Sequence, residues 1–333
     1  GHRLQFGGMS ILVLLVIIIS PSAASSEALC FPKYSPGYHV ASVSDPLTGK
    51  ERSVMVHVPD NLDFVSFSSV PAMIAYHGWH ANPWYFNRLG NVAKSTARHG
   101  MVLALGFGTP PDTNESPICC PDGCDVMCCS SGDKLDMMRP CGWNTDGQGS
   151  TGTDDIAYTR AIARMLVKDL CVDSNRIFAT GLSNGGSMTA TAACQASDVF
   201  AGVAQISGGL GEKVICEPES PVAFLSFCGL DDLSCTASSN TTAELFKSLN
   251  NCIEPFHTSF ESKTTKCRAA RGCMGGTFVE QCFIKGLGDE FPGHDRVKPL
   301  YPGEPKQDPN NIDAMDYMLK RMSIISKQES KQE

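Results

Sequence analysis

The chain has 333 residues, 42% of them hydrophobic and 19% charged, with a formal net charge of −8. That supplies one large core of a size ordinary for a single α/β domain. The acidic balance, with no basic run, argues against a nucleic-acid partner.

Ile11 to Ile19 is an unbroken apolar stretch followed by Ser22-Ala23-Ala24-Ser25-Ser26. It is far short of the roughly 20 residues needed to span a bilayer. Residues 9–24 therefore read as a secretory signal, with the start at Met9 and cleavage near Ala24, the rival reading being an uncleaved anchor. No stable membrane insertion is expected. All 16 cysteines follow this segment, and their number is even. In an exported chain that argues for disulfides. The cluster Cys119, Cys120, Cys124, Cys128, Cys129 holds two vicinal pairs with no histidine nearby, which fits disulfides better than a zinc site. Asn114-Glu115-Ser116 and Asn240-Thr241-Thr242 are candidate glycosylation sequons.

Residues 28–50 read as loop, ending in the turn signal Asp45-Pro46-Leu47-Thr48-Gly49. Ser53 to Val58 alternates as an edge strand would. Pro71 to Tyr76 reads as a buried strand running into His77-Gly78-Trp79-His80. Trp84 to His99 carries Phe86, Leu89, Val92 and Ala93 at helical spacing, and Met101 to Leu105 is another strand. Residues 107–152 then lose all periodicity and are rich in Gly, Pro, Cys and Asp. A loop this long is uncommon unless functional or pinned, and its cysteines can pin it.

Thr153-Asp154-Asp155 opens a helix, with Thr153 as the cap and the aspartates at the positive end of the dipole. Ile177 to Thr180 is a strand, and Met188 to Ala193 suits a helix. Between them lies Gly181-Leu182-Ser183-Asn184-Gly185, a G-x-S-x-G pentapeptide. Chance supplies roughly 0.1 such pentapeptides in a chain this long. The strand–turn–helix context carries the inference that Ser183 sits on a nucleophile elbow. Strands at 200–206, 221–227 and 278–285 and helices at 241–251 and 311–325 complete the pattern. Strands alternating with helices indicate a mainly parallel sheet with helices on both faces; with the serine elbow and the cysteine-rich stretch, the expectation is an α/β-hydrolase fold carrying a disulfide-rich insert. The expected organisation is one catalytic domain over residues 28–326, with the insert at about 107–152 and a polar tail at 327–333.

A serine hydroxyl needs a base, a group orienting that base, and donors for the oxyanion. In this fold the chain order is Ser, acid, His. Only His257 and His294 follow Ser183. His294, in Gly293-His294-Asp295 just past the last strand, is the expected base. Asp231 and Asp232 both follow a strand end; either carboxylate could instead cap the next element. The backbone amides of Asn184 and Trp79 are the expected oxyanion donors. His77 is expected to hold its loop, with a role at the substrate as a lesser option. Trp143, with Trp79 and Trp84, could line an aromatic-ester pocket or simply pack in the core.

Together these residues resemble secreted α/β-hydrolase esterases of the polyhydroxybutyrate depolymerase and feruloyl esterase type, from about Ser53 to Arg321. The most specific pieces are Tyr76-His77-Gly78, the Asp154-Asp155 helix start, and Val172-Asp173-Ser174-Asn175-Arg176 leading into Gly181-Leu182-Ser183-Asn184-Gly185-Gly186-Ser187-Met188. The resemblance implies ester hydrolysis through an acyl-enzyme, no cofactor or metal, export, and an ester substrate that is polysaccharide-linked or a short polyester. It picks Asp232 as the acid, although Cys228 stands where the family's motif begins with His. It also places Asp289 where the family has its catalytic histidine, in Gly288-Asp289-Glu290-Phe291-Pro292-Gly293. His294, five positions later, is then expected to have taken the role. The same departure admits a second reading, a hydrolase-fold protein that binds without catalysis.

Overall fold

The computed structural model describes residues 31–44, 49, 51–62, 70–79, 81–109, 141–145, 153–293 and 312–326. The signal-like segment, the cysteine cluster at 119–129, the sequon at Asn114, His294 and the polar tail lie outside the described residues.

The strands β1 (Gly37–Ser44), β2 (Glu51–Val58), β3 (Val70–Tyr76), β4 (Val102–Gly106), β5 (Val172–Leu182), β6 (Gly202–Ile206), β7 (Ala223–Gly229), β8 (His257–Glu261), β9 (Thr265–Ala270) and β10 (Val279–Ile284) form one sheet. Its order is β1-β2-β4-β3-β5-β6-β7-β10-β9-β8. From β4 through β10 every neighbouring pair is parallel. Antiparallel strands extend it at both ends.

The helices are α1 (Pro83–Gly90), α2 (Val92–Arg98), α3 (Asp155–Leu170), α4 (Asn184–Gln195), α5 (Leu233–Leu249) and α6 (Ala314–Met322). Alternation along β3 shows why both faces are covered. Ala72, Ile74 and Tyr76 join the core with Ile162 of α3, Met188 of α4 and Phe246 of α5. Met73 and Ala75 point the other way, into the core with Phe86 of α1, Val92 of α2 and Met318 of α6. A strand apolar on both faces needs a helix layer on each, which is the parallel-sheet signature. This is the α/β-hydrolase fold.

Several boundaries differ from expectation. Residues 37–44, read as loop, form β1, so β2 is not the edge. β1 buries only Ala41 and Val43 while Tyr38 and Val40 are exposed, so its apolar signal is weak. The helix expected over 84–99 is two helices, broken at Asn91, which adopts φ 50. Asp154, not Thr153, caps α3, accepting from the Ala157 amide at 2.8 Å. α5 begins at Leu233, well before the expected Thr241. The hairpin β8–β9 was not foreseen.

Among the described residues, disulfides join Cys194–Cys216, Cys228–Cys235, Cys252–Cys273 and Cys267–Cys282. Cys141 and Cys171 are also disulfide-bonded. Among the described residues no helix is long and apolar enough to cross a membrane.

Candidate active site

β5 ends at Leu182 and α4 begins at Asn184. Ser183 makes the turn between them at φ 56, ψ −120, a conformation that costs a non-glycine residue about 1–3 kcal/mol. The surroundings hold it there. The Ser183 amide donates to Ile206 O at 2.9 Å, and the Ser187 amide donates to Ser183 O at 2.9 Å. A methyl group on Gly185 would stand 2.2 Å from Tyr76 O, and one on Gly181 would stand 2.2 Å from Gly185 O. The helix can start this close to the sheet only because both positions lack a side chain. The expectation of strand, sharp turn and helix around the pentapeptide is met in full.

The Ser183 hydroxyl donates to Asp289 Oδ2 at 2.7 Å. Asp289 lies on the turn after β10, between the buried Leu287 and Phe291. Backbone bonds tie that turn to the segment leaving β7. The Leu230 amide donates to Ile284 O at 2.8 Å and the Asp231 amide to Leu287 O at 3.0 Å. Much of Asp289 faces solvent, but its carboxyl end meets the site. Desolvation pushes that carboxyl above the usual carboxylate range; the Ser183 hydrogen bond works against this, and the negative charges of Asp232 and Glu290 add to it.

Asp232 caps α5, its Oδ1 accepting from the Cys235 amide at 3.0 Å and from Ser234 Oγ at 2.9 Å. The capping role considered for one of the two carboxylates is therefore real at Asp232. It coexists with a position close enough for its charge to act on Asp289. Cys228, at the family's histidine position, is bonded to Cys235 in the first turn of α5, so the disulfide brackets Asp232 in sequence.

The two expected oxyanion donors border the nucleophile. The Asn184 amide belongs to the first turn of α4, where amides lack partners inside the helix. A methyl group on Gly78 would stand 3.7 Å from Ser183 Cβ, so the loop carrying Trp79 lies alongside the elbow. The Asn184 side chain holds the other wall: its Oδ1 accepts from the Trp143 amide at 2.8 Å.

His77 and Trp143 do not face a substrate. His77 is buried, its Nε2 accepting from the Gly108 amide at 3.0 Å and its Nδ1 donating to Gly78 O at 2.8 Å. Burial lowers its pKa from 6.5 to about 4, so the ring is neutral and both nitrogens are engaged. Trp143 is fully buried, donates from Nε1 to His77 O at 2.8 Å, and packs edge-on to Tyr76. Both support the wall from behind, because their polar atoms are used up holding the backbone. Trp79 is only half-buried.

His257 is exposed on β8, the outermost strand, separated from β5 by β6, β7, β10 and β9. At about 4.8 Å per strand it cannot reach Ser183. His294 lies outside the described residues. The residue whose contact the sequence reading missed is Asp289. The signal was present, since Asp289 occupies the base position of the family frame.

Known proteins agree with this architecture. A family model described as "Prolyl oligopeptidase family" matches residues 141–209, the stretch that includes the elbow. "Feruloyl esterase B" of Piromyces equi is 25% identical over 273 residues, 74% of this chain and 45% of that protein. "Probable feruloyl esterase C" of Aspergillus clavatus is 37% identical over 222 residues, 66% of this chain and 69% of that protein. The chain thus spans under half of the first relative and about two thirds of the second. Among solved structures, an acetyl xylan esterase from Aspergillus awamori superposes with a TM-score of 0.51 at 13% identity, covering 77% of this chain and 96% of that one. That likeness speaks to the fold alone.

Proposed function

This chain belongs to the feruloyl esterase family, and we propose that it is a serine esterase that hydrolyses carboxylic esters through an acyl-enzyme. Ser183 attacks the carbonyl carbon. The amides of Asn184 and Trp79 receive the developing oxyanion. Asp232 supplies negative charge behind the base. The reaction also needs a base within reach of the Ser183 hydroxyl.

The observation that carries the reading is the strained turn at Ser183, whose hydroxyl already donates a 2.7 Å hydrogen bond to a carboxylate. Backbone strain of this kind clusters at functional sites. The second reading, binding without catalysis, finds no support in this contact.

The names of the relatives favour a feruloyl ester as substrate; polysaccharide-linked acetyl esters and short polyhydroxyalkanoates are the other candidates, from the family resemblance. The disulfides fit an exported protein. Ser183→Ala should abolish hydrolysis of methyl ferulate and 4-nitrophenyl acetate, and should abolish labelling by a fluorophosphonate probe. Unchanged turnover in that variant would remove the assignment. Comparing feruloyl, acetyl and hydroxybutyryl esters then ranks the acyl groups.

A further inference from the structure

We propose that Asp289 is the general base of this esterase, a carboxylate doing at Ser183 what an imidazole does elsewhere. The proposal rests on the serine-esterase reading and sharpens it. Three observations carry it.

The first is contact. Asp289 Oδ2 accepts the Ser183 proton's hydrogen bond at 2.7 Å, within the range a base must occupy to take that proton. The second is position. Asp289 follows β10, the last parallel strand, at the end of the sheet where β5 delivers Ser183. Buried Leu287 and Phe291 flank it, and the Ala314 amide donates to Pro292 O at 3.3 Å, so the turn is held from both sides. The third is the electrostatic setting. From the β5–α4 turn Asp289 meets the Ser183 hydroxyl; from the β7–α5 turn it meets Asp232; along its own turn it meets Glu290. Both charges are negative, so both make its carboxylate hold a proton more tightly. A carboxylate of raised basicity is a better match for general-base work near neutral pH.

The step balances without a further reactant. The Ser183 Oγ–H bond breaks and its proton moves to Asp289 Oδ2 while Oγ bonds to the ester carbonyl carbon. The carbonyl π pair moves onto oxygen. On collapse that pair returns, the bond from carbon to the alcohol oxygen breaks, and Asp289 gives its proton to that oxygen. Deacylation repeats the sequence with water: one water proton goes to Asp289, water oxygen bonds to the acyl carbon, and the proton returns to Oγ as the acyl–Oγ bond breaks.

A carboxylate base has its own pH signature. It is competent when deprotonated, so activity rises with pH through a carboxyl pKa lying above the ordinary value. The test measures kcat/KM on 4-nitrophenyl acetate from pH 4 to 8 for the full chain and its variants. Asp289→Asn, with an unchanged circular dichroism spectrum, should lose at least about 100-fold in kcat. His294→Ala should stay within about twofold of the parent and keep the same ascending limb. Asp289→His should shift that limb, because an imidazole of ordinary pKa about 6.5 then takes the proton. The opposite pattern, a damaged His294→Ala beside an Asp289→Asn variant that turns over normally, overturns the proposal. Should Asp289→Asn not fold, the limb in His294→Ala decides: kept, it supports the carboxylate; lost, it overturns it. Turnover surviving in Ser183→Ala is a different result, and defeats the esterase reading itself.

Discussion

His77 shows how much can hang on one buried ring. It bridges two loops, receiving the Gly108 amide and donating to Gly78 O, while its own carbonyl takes the Trp143 indole proton. Protonating Nε2 would put a donor against the Gly108 donor, and burial lowers the pKa to about 4 from 6.5 even though the hydrogen bond to Gly78 O works the other way. The unfolded chain therefore binds a proton at this residue that the folded chain refuses between those values. Stability rises with pH across that window and is lost as pH falls from about 6.5 toward 4, by at most about 3 kcal/mol from this ring. His77→Gln can keep an acceptor toward Gly108 without a titrating group. Urea melts of both proteins from pH 4 to 7 should show the variant less stable at pH 7 but with a shallower dependence on pH. Parallel pH curves would show that His77 takes up its proton freely in the folded state.

At the scale of elements, Asp232 carries two jobs that substitution can separate. As the cap of α5 its oxygen satisfies the Cys235 amide; as a charge it acts on Asp289. Asparagine caps about as well as aspartate, whereas alanine costs about 1 kcal/mol. Asp232→Asn should therefore melt within a few degrees of the parent yet lower kcat, while Asp232→Ala should lose both stability and rate. Equal rates in Asp232→Asn and the parent would confine this residue to capping. The same duality explains what could be read in advance. The strand–turn–helix at Ser183 was legible because β5 and α4 are apolar on their covered faces and the glycines mark the close approach. α5 was half hidden because its first turns, Leu233-Ser234-Cys235-Thr236-Ala237-Ser238-Ser239, pack through small polar residues. Ser239 is wholly buried and bonded to Gln281 rather than marked by an apolar stripe. The hairpin β8–β9 was invisible for the opposite reason, since most of β8 is exposed and its register is set by pairing with β9. At the site, the motif marks Ser183 as the proposed nucleophile, and the family resemblance marks Asp232 as the proposed acid. The partner of Ser183 could not, because a rule that expects histidine passes over the carboxylate standing in its frame.

Across the whole molecule, the turn that bears Asp289 is where the chain leaves the last parallel strand of the sheet. β10 precedes it, and α6 is the next described helix after it. Buried Glu280 of β10 ties the two together. Its Oε2 takes Arg321 Nε at 2.7 Å, and its Oε1 takes the Tyr317 hydroxyl at 2.7 Å and Ser259 Oγ at 2.5 Å. A carboxylate at full burial is tolerable only with this many donors, and taking away its cation leaves an uncompensated charge worth about 3–5 kcal/mol. Arg321→Met should therefore lower stability by about 3 kcal/mol, the low end because Arg321 keeps some exposure. Adding Glu280→Gln to Arg321→Met should recover part of that loss, because the stranded charge is gone while an acceptor remains for Tyr317. Chemical denaturation of the parent, both single variants and the double variant gives the coupling directly. Additive losses would mean that Glu280 and Arg321 stabilise the fold independently. A large negative coupling together with a lowered kcat in Arg321→Met alone would mean that the α6 layer sets the position of the Asp289 turn.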